Sequence, residues 1–493
     1  MNPLKQLAGQ TAIYGLSSVV ARILNFLLVP FYTRVFTDTA EYGIVNELYA
    51  YVAFLIIILT YGMETAFFRF SSKSNNSNIV YSTTLLSLLI TTGIFIIVIV
   101  GFYPSLANSL GYTDRQEFLL LLGLVLAFDA IAAIPFARLR YENNAIKFAS
   151  IKIFNVGINI FFNVFFLIIC PYLIKRNSDI HFINLIYNEE FRVGYVFLSN
   201  LIASFLTLGF FIKDIIKTKF RFSIVLWKSM VFYSFPLLIA GLAGTVNEVI
   251  DRIMLKYRLP DNVDALEQIG IYGANVKIAV IMTLFIQMFR YASEPFFFSN
   301  EKRVDNKQLY SEILYYFTIT GTFIFLIVCL YLDLFKHIIG SNYHEGLNVV
   351  PIILLGNLML GIYFNFSIWY KLKDVTIYGT LFALVGASVT LLINYYFIPL
   401  YGYMASAWGH LIAYTMMALL SYIFGRYFYP IPYNVKMVLF YIIISVLIYL
   451  ISSLIKIDHI IYRLAINTLF LMLFILIVLF SEKEKIKKWI PLK

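Results

Sequence analysis

Apolar runs of about twenty residues, separated by short polar punctuation, follow one another along the whole chain. An α-helix rises about 1.5 Å per residue, so roughly 20 apolar residues cross the hydrocarbon core of a bilayer. Fourteen segments meet that length: residues 10–33, 42–67, 80–103, 117–137, 148–174, 193–212, 229–254, 269–297, 309–332, 346–370, 375–400, 404–426, 436–455 and 462–480. The longest connection, 175–192, has the length of an ordinary surface loop, so no soluble domain is inserted. The pattern predicts an all-α polytopic membrane protein with about 14 transmembrane helices.

One stretch occurs twice. Residues 22–68 and 252–298 align without a gap at an offset of 230. They share Arg22/Arg252, Pro30/Pro260, Tyr42/Tyr272, Gly43/Gly273, Tyr61/Tyr291, Glu64/Glu294, Phe67/Phe297 and Phe68/Phe298. Chance matching of apolar residues explains Ile23/Ile253 or Ile56/Ile286, but not Arg, Glu and Tyr-Gly in one register. An internal repeat in a membrane protein marks two structural halves with a site between them.

Composition agrees with this reading. The chain is 61% hydrophobic and only 13% charged, where soluble domains carry about 25% charged residues. The first apolar stretch is too long for a cleavable signal peptide and lacks a small-residue cleavage site. Cys170 and Cys329 sit inside apolar runs and imply neither a disulfide framework nor a metal site. The net charge of +11 points to anionic lipid beside cytoplasmic loops rather than to nucleic acid. With a cytoplasmic N-terminus, alternation of the fourteen spans puts 25 of the 38 Lys and Arg residues on the cytoplasmic side and 11 outside. The excess orients both termini to the cytoplasm.

Charges within the spans are confined to a few of them. Arg22 lies in the first, Glu47 and Glu64 in the second, Asp129 in the fourth and Lys152 in the fifth. Glu248, Asp251 and Arg252 lie in the seventh, and Lys277, Arg290 and Glu294 in the eighth. A charge at the bilayer centre costs about 2.5–3.5 kcal/mol on insertion scales, so such residues face a bundle interior or a wet cavity. Arg22 and Asp129 are the deepest by sequence. Glu64, Lys152, Arg290, Glu294, Asp251 and Arg252 lie near span ends, from which long side chains also snorkel to the interface. A polar cavity walled by spans 1, 2, 4, 5, 7 and 8 is one reading. Buried ion pairs that only fix helix packing, such as Arg22 with Asp129, are the other. Asn25, Asn46, Asn155, Asn159 and Asn247 share these spans and suit either sugar hydroxyls or neighbouring helices. Pro30, Pro135, Pro236 with Gly241 and Gly244, and Pro351 with Gly356 mark candidate bends. No P-loop signature occurs, His344-Glu345 lacks the second His of a zincin motif, and the five His residues are scattered. The chain therefore reads as a non-enzyme.

Gly9-Gln10-Thr11 through Arg22, residues 38–43, Asn247-Glu248-Val249-Ile250-Asp251-Arg252, Tyr272-Gly273-Ala274 and Glu294-Pro295-Phe296 resemble the polysaccharide-biosynthesis (O-antigen) flippases of the multidrug/oligosaccharidyl-lipid/polysaccharide exporter superfamily. The resemblance covers nearly the whole chain, although its motifs are short and degenerate. It implies two six-helix lobes around a central cavity, here 1–220 and 221–430, followed by residues 431–493 with two further helices and a basic cytoplasmic tail. It implies a protein of the cytoplasmic membrane that turns an undecaprenyl-diphosphate-linked oligosaccharide from the inner to the outer leaflet by alternating access. By matching register, Arg22, Arg252 and Lys277 fall where the family carries cavity-facing or gate charges; Asp129 and Glu47 join them as substrate-binding candidates. Glu64, Lys152, Glu248, Asp251, Arg290 and Glu294 are the gate or coupling candidates. No cofactor is implied, and coupling to H⁺ or Na⁺ stays open. Expected partners are the lipid-linked oligosaccharide, membrane lipids, and a polysaccharide polymerase with its chain-length machinery.

A lipid-linked sugar presents an anionic diphosphate and a polar glycan that hydrocarbon excludes, and Arg or Lys holds phosphate by charge-assisted bonds. A lipid II flippase or a cation-coupled drug exporter of the same superfamily are the alternatives. A polysaccharide polymerase or ligase would carry a large outer loop, which the sequence lacks.

Overall fold

The computed structural model describes residues 19–74, 76–176, 186–301, 303–455 and 457–483, without the side chains of Pro295 and Ser299. The start of the first apolar segment, Asn177, His181 and most of the basic tail lie outside the described residues. The described chain is predominantly helical and contains no strand. Residues 19–26 are helical, followed by α1 (Leu28–Val35), α2 (Thr39–Thr60), α3 (Met63–Lys73), α4 (Ser77–Ser109), α5 (Glu117–Tyr141), α6 (Ala145–Val164, continuing to Arg176), α7 (Gly194–Lys217) and α8 (Ile224–Arg258). Then come α9 (Ala265–Ile278), α10 (Val280–Ser299), α11 (Asn306–Leu330), α12 (Val349–Phe366), α13 (Ile377–Tyr401), α14 (Tyr403–Phe428), α15 (Val435–Leu454) and α16 (Ile460–Ser481). Twelve described spans are long and apolar enough to cross a membrane, and the bent pair α9–α10 makes a thirteenth. The protein is a multi-pass membrane protein. Thirteen of the fourteen expected segments have a helical counterpart by this measure. Only part of the first, which the measure does not count, lies within the described residues.

The chain divides into two compact units, 1–256 and 257–493. In the first, α5 packs against α4 and α7, and α7 against α6. Met63 and Phe67 of α3, Tyr81 and Leu85 of α4, Ile134 of α5 and Met230 of α8 share one apolar cluster. α4 is apolar all round, leaving Ile90, Ile94 and Ile97 exposed, as expected of a helix whose outer face meets lipid. In the second unit α14 packs against both α12 and α13, and α11 against α15.

Two breaks matter. The second span, which hydropathy reads as one helix, is interrupted at Tyr61 and Gly62, both left-handed with φ of 32° and 72°. A Cβ on Gly62 would stand 3.1 Å from Ser234 Cβ and 3.2 Å from Ser234 O, so glycine serves both the backbone angle and the close approach of α8. Tyr61 Oη lies 2.5 Å from Ser87 Oγ, to which Trp227 Nε1 donates at 2.6 Å. The break is thereby tied to α4 and α8. The other, a 47° bend, separates α9 from α10 at Ala279. The 230-residue register puts Ala279 opposite Tyr49, not Tyr61, so the repeat does not extend to the position of the break. Pro135 and Pro236, expected as bends, lie inside the continuous helices α5 and α8.

Candidate functional site

The first unit encloses a charged cavity of about 430 Å³ among its membrane-spanning helices. Each helix offers it one stripe at helical spacing. Ile56, Thr60 and Glu64 descend in steps of four across the Tyr61–Gly62 break. Asp129, Ala132, Ala133, Phe136 and Arg140 run down three turns of α5. Phe148, Lys152 and Asn155 come from α6, and Thr207 from α7. The alanines leave the space that larger side chains would fill. Phe136 packs edge-on against Phe148 and Phe211 at centroid distances of 5.5 and 4.9 Å and floors the chamber.

The chamber carries two carboxylates and two cations. Arg140 pairs with Glu64. Asp129 and Lys152 are both exposed to its interior and form no ion pair within 4 Å among the described residues. Lys152 Nζ sits 4.3 Å above the Phe136 ring. Asn155 Nδ2 donates to Thr207 Oγ1 at 2.9 Å. Such a wall holds an anion by charge-assisted bonds and offers amide and hydroxyl groups to a hydroxylated ligand. Among the described residues no group of three His, Cys, Asp or Glu is placed to hold a metal.

Of the residues singled out from sequence, Glu64, Asp129, Lys152 and Asn155 meet in this chamber. The others lie elsewhere. Arg22 is exposed on the helical stretch 19–26 and makes no ion pair with Asp129 among the described residues. Glu47 is fully buried on α2, bound by Lys256 Nζ at 2.8 and 2.9 Å and by Tyr112 Oη at 2.5 Å. Lys256 also donates to Leu110 O at 2.6 Å. This knot joins α2, the end of α4 and the end of α8. Arg252 and Asp251 are buried on α8, where Arg252 Nη1 donates to Asp251 Oδ1 at 3.0 Å and to Glu248 O at 2.8 Å; Glu248 itself is exposed.

In the second unit Lys277 is half-buried on α9. Glu294 accepts from Lys371 at 2.7 Å and from Arg290 at 3.4 Å, and Arg290 stacks 4.0 Å over Phe364. Sequence reasoning missed Arg140, Phe136, Phe148 and Thr207 as cavity residues. Arg140 had a usable signal: it lies eleven residues after Asp129, three turns down the same helix face.

Residues 7–301 match the family model described as polysaccharide biosynthesis protein. The chain is 20% identical over 339 residues to the Lsg locus putative protein 1 of Haemophilus influenzae, covering 68% of this chain and 77% of that protein. Its fold is similar to that of lipid II flippase MurJ in an inward closed conformation, with a TM-score of 0.70, 16% identity and coverage of 96% of this chain and 99% of that one. It is similar to an inward-facing MATE family transporter of the MOP superfamily at a TM-score of 0.60, 13% identity and coverage of 85% and 94%. The family match spans more than half of the chain, and the protein belongs to the polysaccharide biosynthesis protein family, built on the fold that MurJ and the MATE transporters share.

Proposed function

We propose that the protein is a flippase for undecaprenyl-diphosphate-linked oligosaccharide units of a surface polysaccharide, working by alternating access in the cytoplasmic membrane with both termini cytoplasmic. The observation that carries this reading is the charged cavity within membrane-spanning helices, where Asp129 and Lys152 stand exposed without an ion pair between them. Ionisable groups at membrane depth are expensive and mark substrate or ion pathways. Lys152 and Arg140 supply cations for a diphosphate; Asn155, Thr207 and Thr60 supply polar contacts for a glycan. Transport in this reading needs no resident cofactor, and the protein is no enzyme.

A lipid II flippase is the second reading. It is favoured by the fold likeness to MurJ, which extends over 96% of this chain. One experiment tests both. The chain is expressed in cells lacking their own oligosaccharide flippase and, separately, in cells depleted of their lipid II flippase. The proposal expects surface polysaccharide to return in the first strain and growth to fail in the second. Rescue of the second strain alone would transfer the protein to lipid II, and rescue of neither would remove both assignments.

A further inference from the structure

A second polar cleft, about 630 Å³, opens at one end of the first unit, where α5 ends, α6 begins and α7 ends. Arg138, Lys147, Lys217 and Lys219 line it against two carboxylates, Glu142 and Asp214. Both carboxylates are engaged. Glu142 accepts from Arg138 at 2.6 Å and Asp214 from Lys147 at 3.3 Å. Lys217 and Lys219 are exposed at the rim and enter no ion pair among the described residues. The cleft therefore carries a net positive charge that its own side chains leave unneutralised.

The chain leaving the cleft is built for a boundary between water and hydrocarbon. α7 ends at Lys217 and α8 starts at Ile224, each the limit of a membrane span. Residues 219–223 between them are non-helical. Along this segment Lys219 and Arg221 alternate in sequence with Phe220 and Phe222. Both phenyl rings are exposed, as are Ile216 and Val225 on the flanking helices. The segment is pinned: Arg221 N donates to Ser82 Oγ at 2.6 Å, Ser82 Oγ donates to Arg221 O at 3.0 Å, and Ser223 N donates to Thr83 Oγ1 at 3.2 Å. Two hydroxyls of α4 thus hold the backbone of this segment against that helix.

We propose that this cleft binds the phosphate headgroup of an anionic membrane phospholipid, with Lys217 and Lys219 on the phosphate and the exposed Phe220 and Phe222 seated at the acyl boundary. Basic pockets between helices at the membrane surface select anionic headgroups, and aromatic rings favour the same depth. Charge complementarity, depth and the exposed aromatic residues beside the cleft agree on this occupant. The site shares no lining residue with the chamber of Asp129 and Lys152 and stands whatever that chamber carries.

The test uses the purified full-length protein, delipidated and titrated with phosphatidylglycerol or phosphatidylcholine, with bound lipid counted by native mass spectrometry. Lys217→Gln with Lys219→Gln should weaken phosphatidylglycerol retention about tenfold or more, given roughly a kcal/mol for each cation near the surface. A charge-matched control, Arg426→Gln with Lys436→Gln, removes two exposed cations from the second unit and should leave it within twofold. Phosphatidylcholine binding should be the same in all three proteins. Equal loss in both double variants, or no loss in either, overturns the proposal. So does displacement of phosphatidylglycerol by inorganic diphosphate or farnesyl diphosphate at equal concentration, which would assign the cleft to a free anion or to the transported lipid. Thermal melting of each variant verifies that the fold is kept; if the first double variant melts early, Lys219→Gln alone carries the same expectation at about threefold.

Discussion

Lys256 Nζ lies 2.8 and 2.9 Å from the two carboxylate oxygens of Glu47, across 209 residues of sequence and in a pocket that leaves Glu47 no exposed surface. Tyr112 completes the arrangement from both sides: its hydroxyl donates to Glu47 and its ring lies 4.2 Å from Lys256 Nζ. Removing one member of a buried pair strands the other charge, which typically costs about 3–5 kcal/mol. Lys256→Met should therefore lower the melting temperature sharply in detergent, and Glu47→Gln similarly. Glu47→Leu with Lys256→Met should recover much of the loss, because replacing both charges by apolar groups is often neutral. Scanning fluorimetry of the three variants is the measurement, and no recovery in the double variant would mean that the pair does more than balance its own charges.

Gly62 invites a second substitution. Ala at a left-handed backbone position costs about 1–2 kcal/mol, and here its methyl would also press on Ser234 at 3.1 Å. Gly62→Ala should destabilise the protein and displace Glu64, two residues on, from its place in the chamber. Gly241→Ala serves as the control. Its added Cβ would meet Ile57 Cγ2 at 3.4 Å, an ordinary contact, in a helix without positive φ. Equal melting temperatures for the two variants would contradict the argument.

What was legible in the sequence follows from the kind of physics involved. Asp129, Lys152 and Glu64 stood out because a charge inside an apolar run has few reasons to be there. Arg140 did not, because as the penultimate residue of α5 it reads as an ordinary loop cation. The Glu47–Lys256 pair was invisible, since nothing local tells a carboxylate which cation it will meet 209 residues away. Hydropathy also ran straight through Tyr61–Gly62, because a change of backbone angle leaves the apolar average untouched. The apolar spans themselves were legible for the opposite reason: twelve to thirteen of them recur among the described residues, and they rest on length and composition, which local sequence carries in full.

At the other end of the chain Asp333 gives a pH test outside the membrane spans. Burial alone would raise its carboxyl pKa, but Lys336 Nζ at 2.7 Å and Arg463 Nη1 at 2.5 Å outweigh it and hold the group below its ordinary value. A depressed folded pKa contributes stability above the unfolded pKa, about 3.9, and that contribution disappears as pH falls through the folded value. Asp333→Asn should thus melt below the wild type at pH 7. The gap should persist to about pH 5 and close as pH falls below 4. A gap that widens with acid would reverse the sign and refute the assignment. Arg463 belongs to α16, so the same experiment reports how firmly that helix is held to the end of α11.

The transport proposal makes its sharpest prediction at Asp129 and Lys152. The two share a cavity, carry opposite charge and form no ion pair within 4 Å among the described residues. If they only balanced each other, Asp129→Asn with Lys152→Gln would leave no net charge and should restore whatever either single change removes. If Lys152 holds an anionic head, the double variant stays inactive because the cation is still missing. Lys152→Arg should then keep part of the activity, since charge is retained while the point-like ammonium becomes a wider fork. The same logic applies to Arg22, which makes no ion pair with Asp129 among the described residues. Arg22→Gln with Asp129→Asn should rescue nothing, whatever Arg22→Gln does alone. The readout is surface polysaccharide in cells lacking their own flippase, with membrane levels of each variant measured by blot. We expect Lys152→Gln to reduce it at least tenfold, Lys152→Arg to leave a measurable fraction, and neither double variant to recover. Full recovery by Asp129→Asn with Lys152→Gln would reduce the chamber's charges to packing partners and withdraw Lys152 from the transport path.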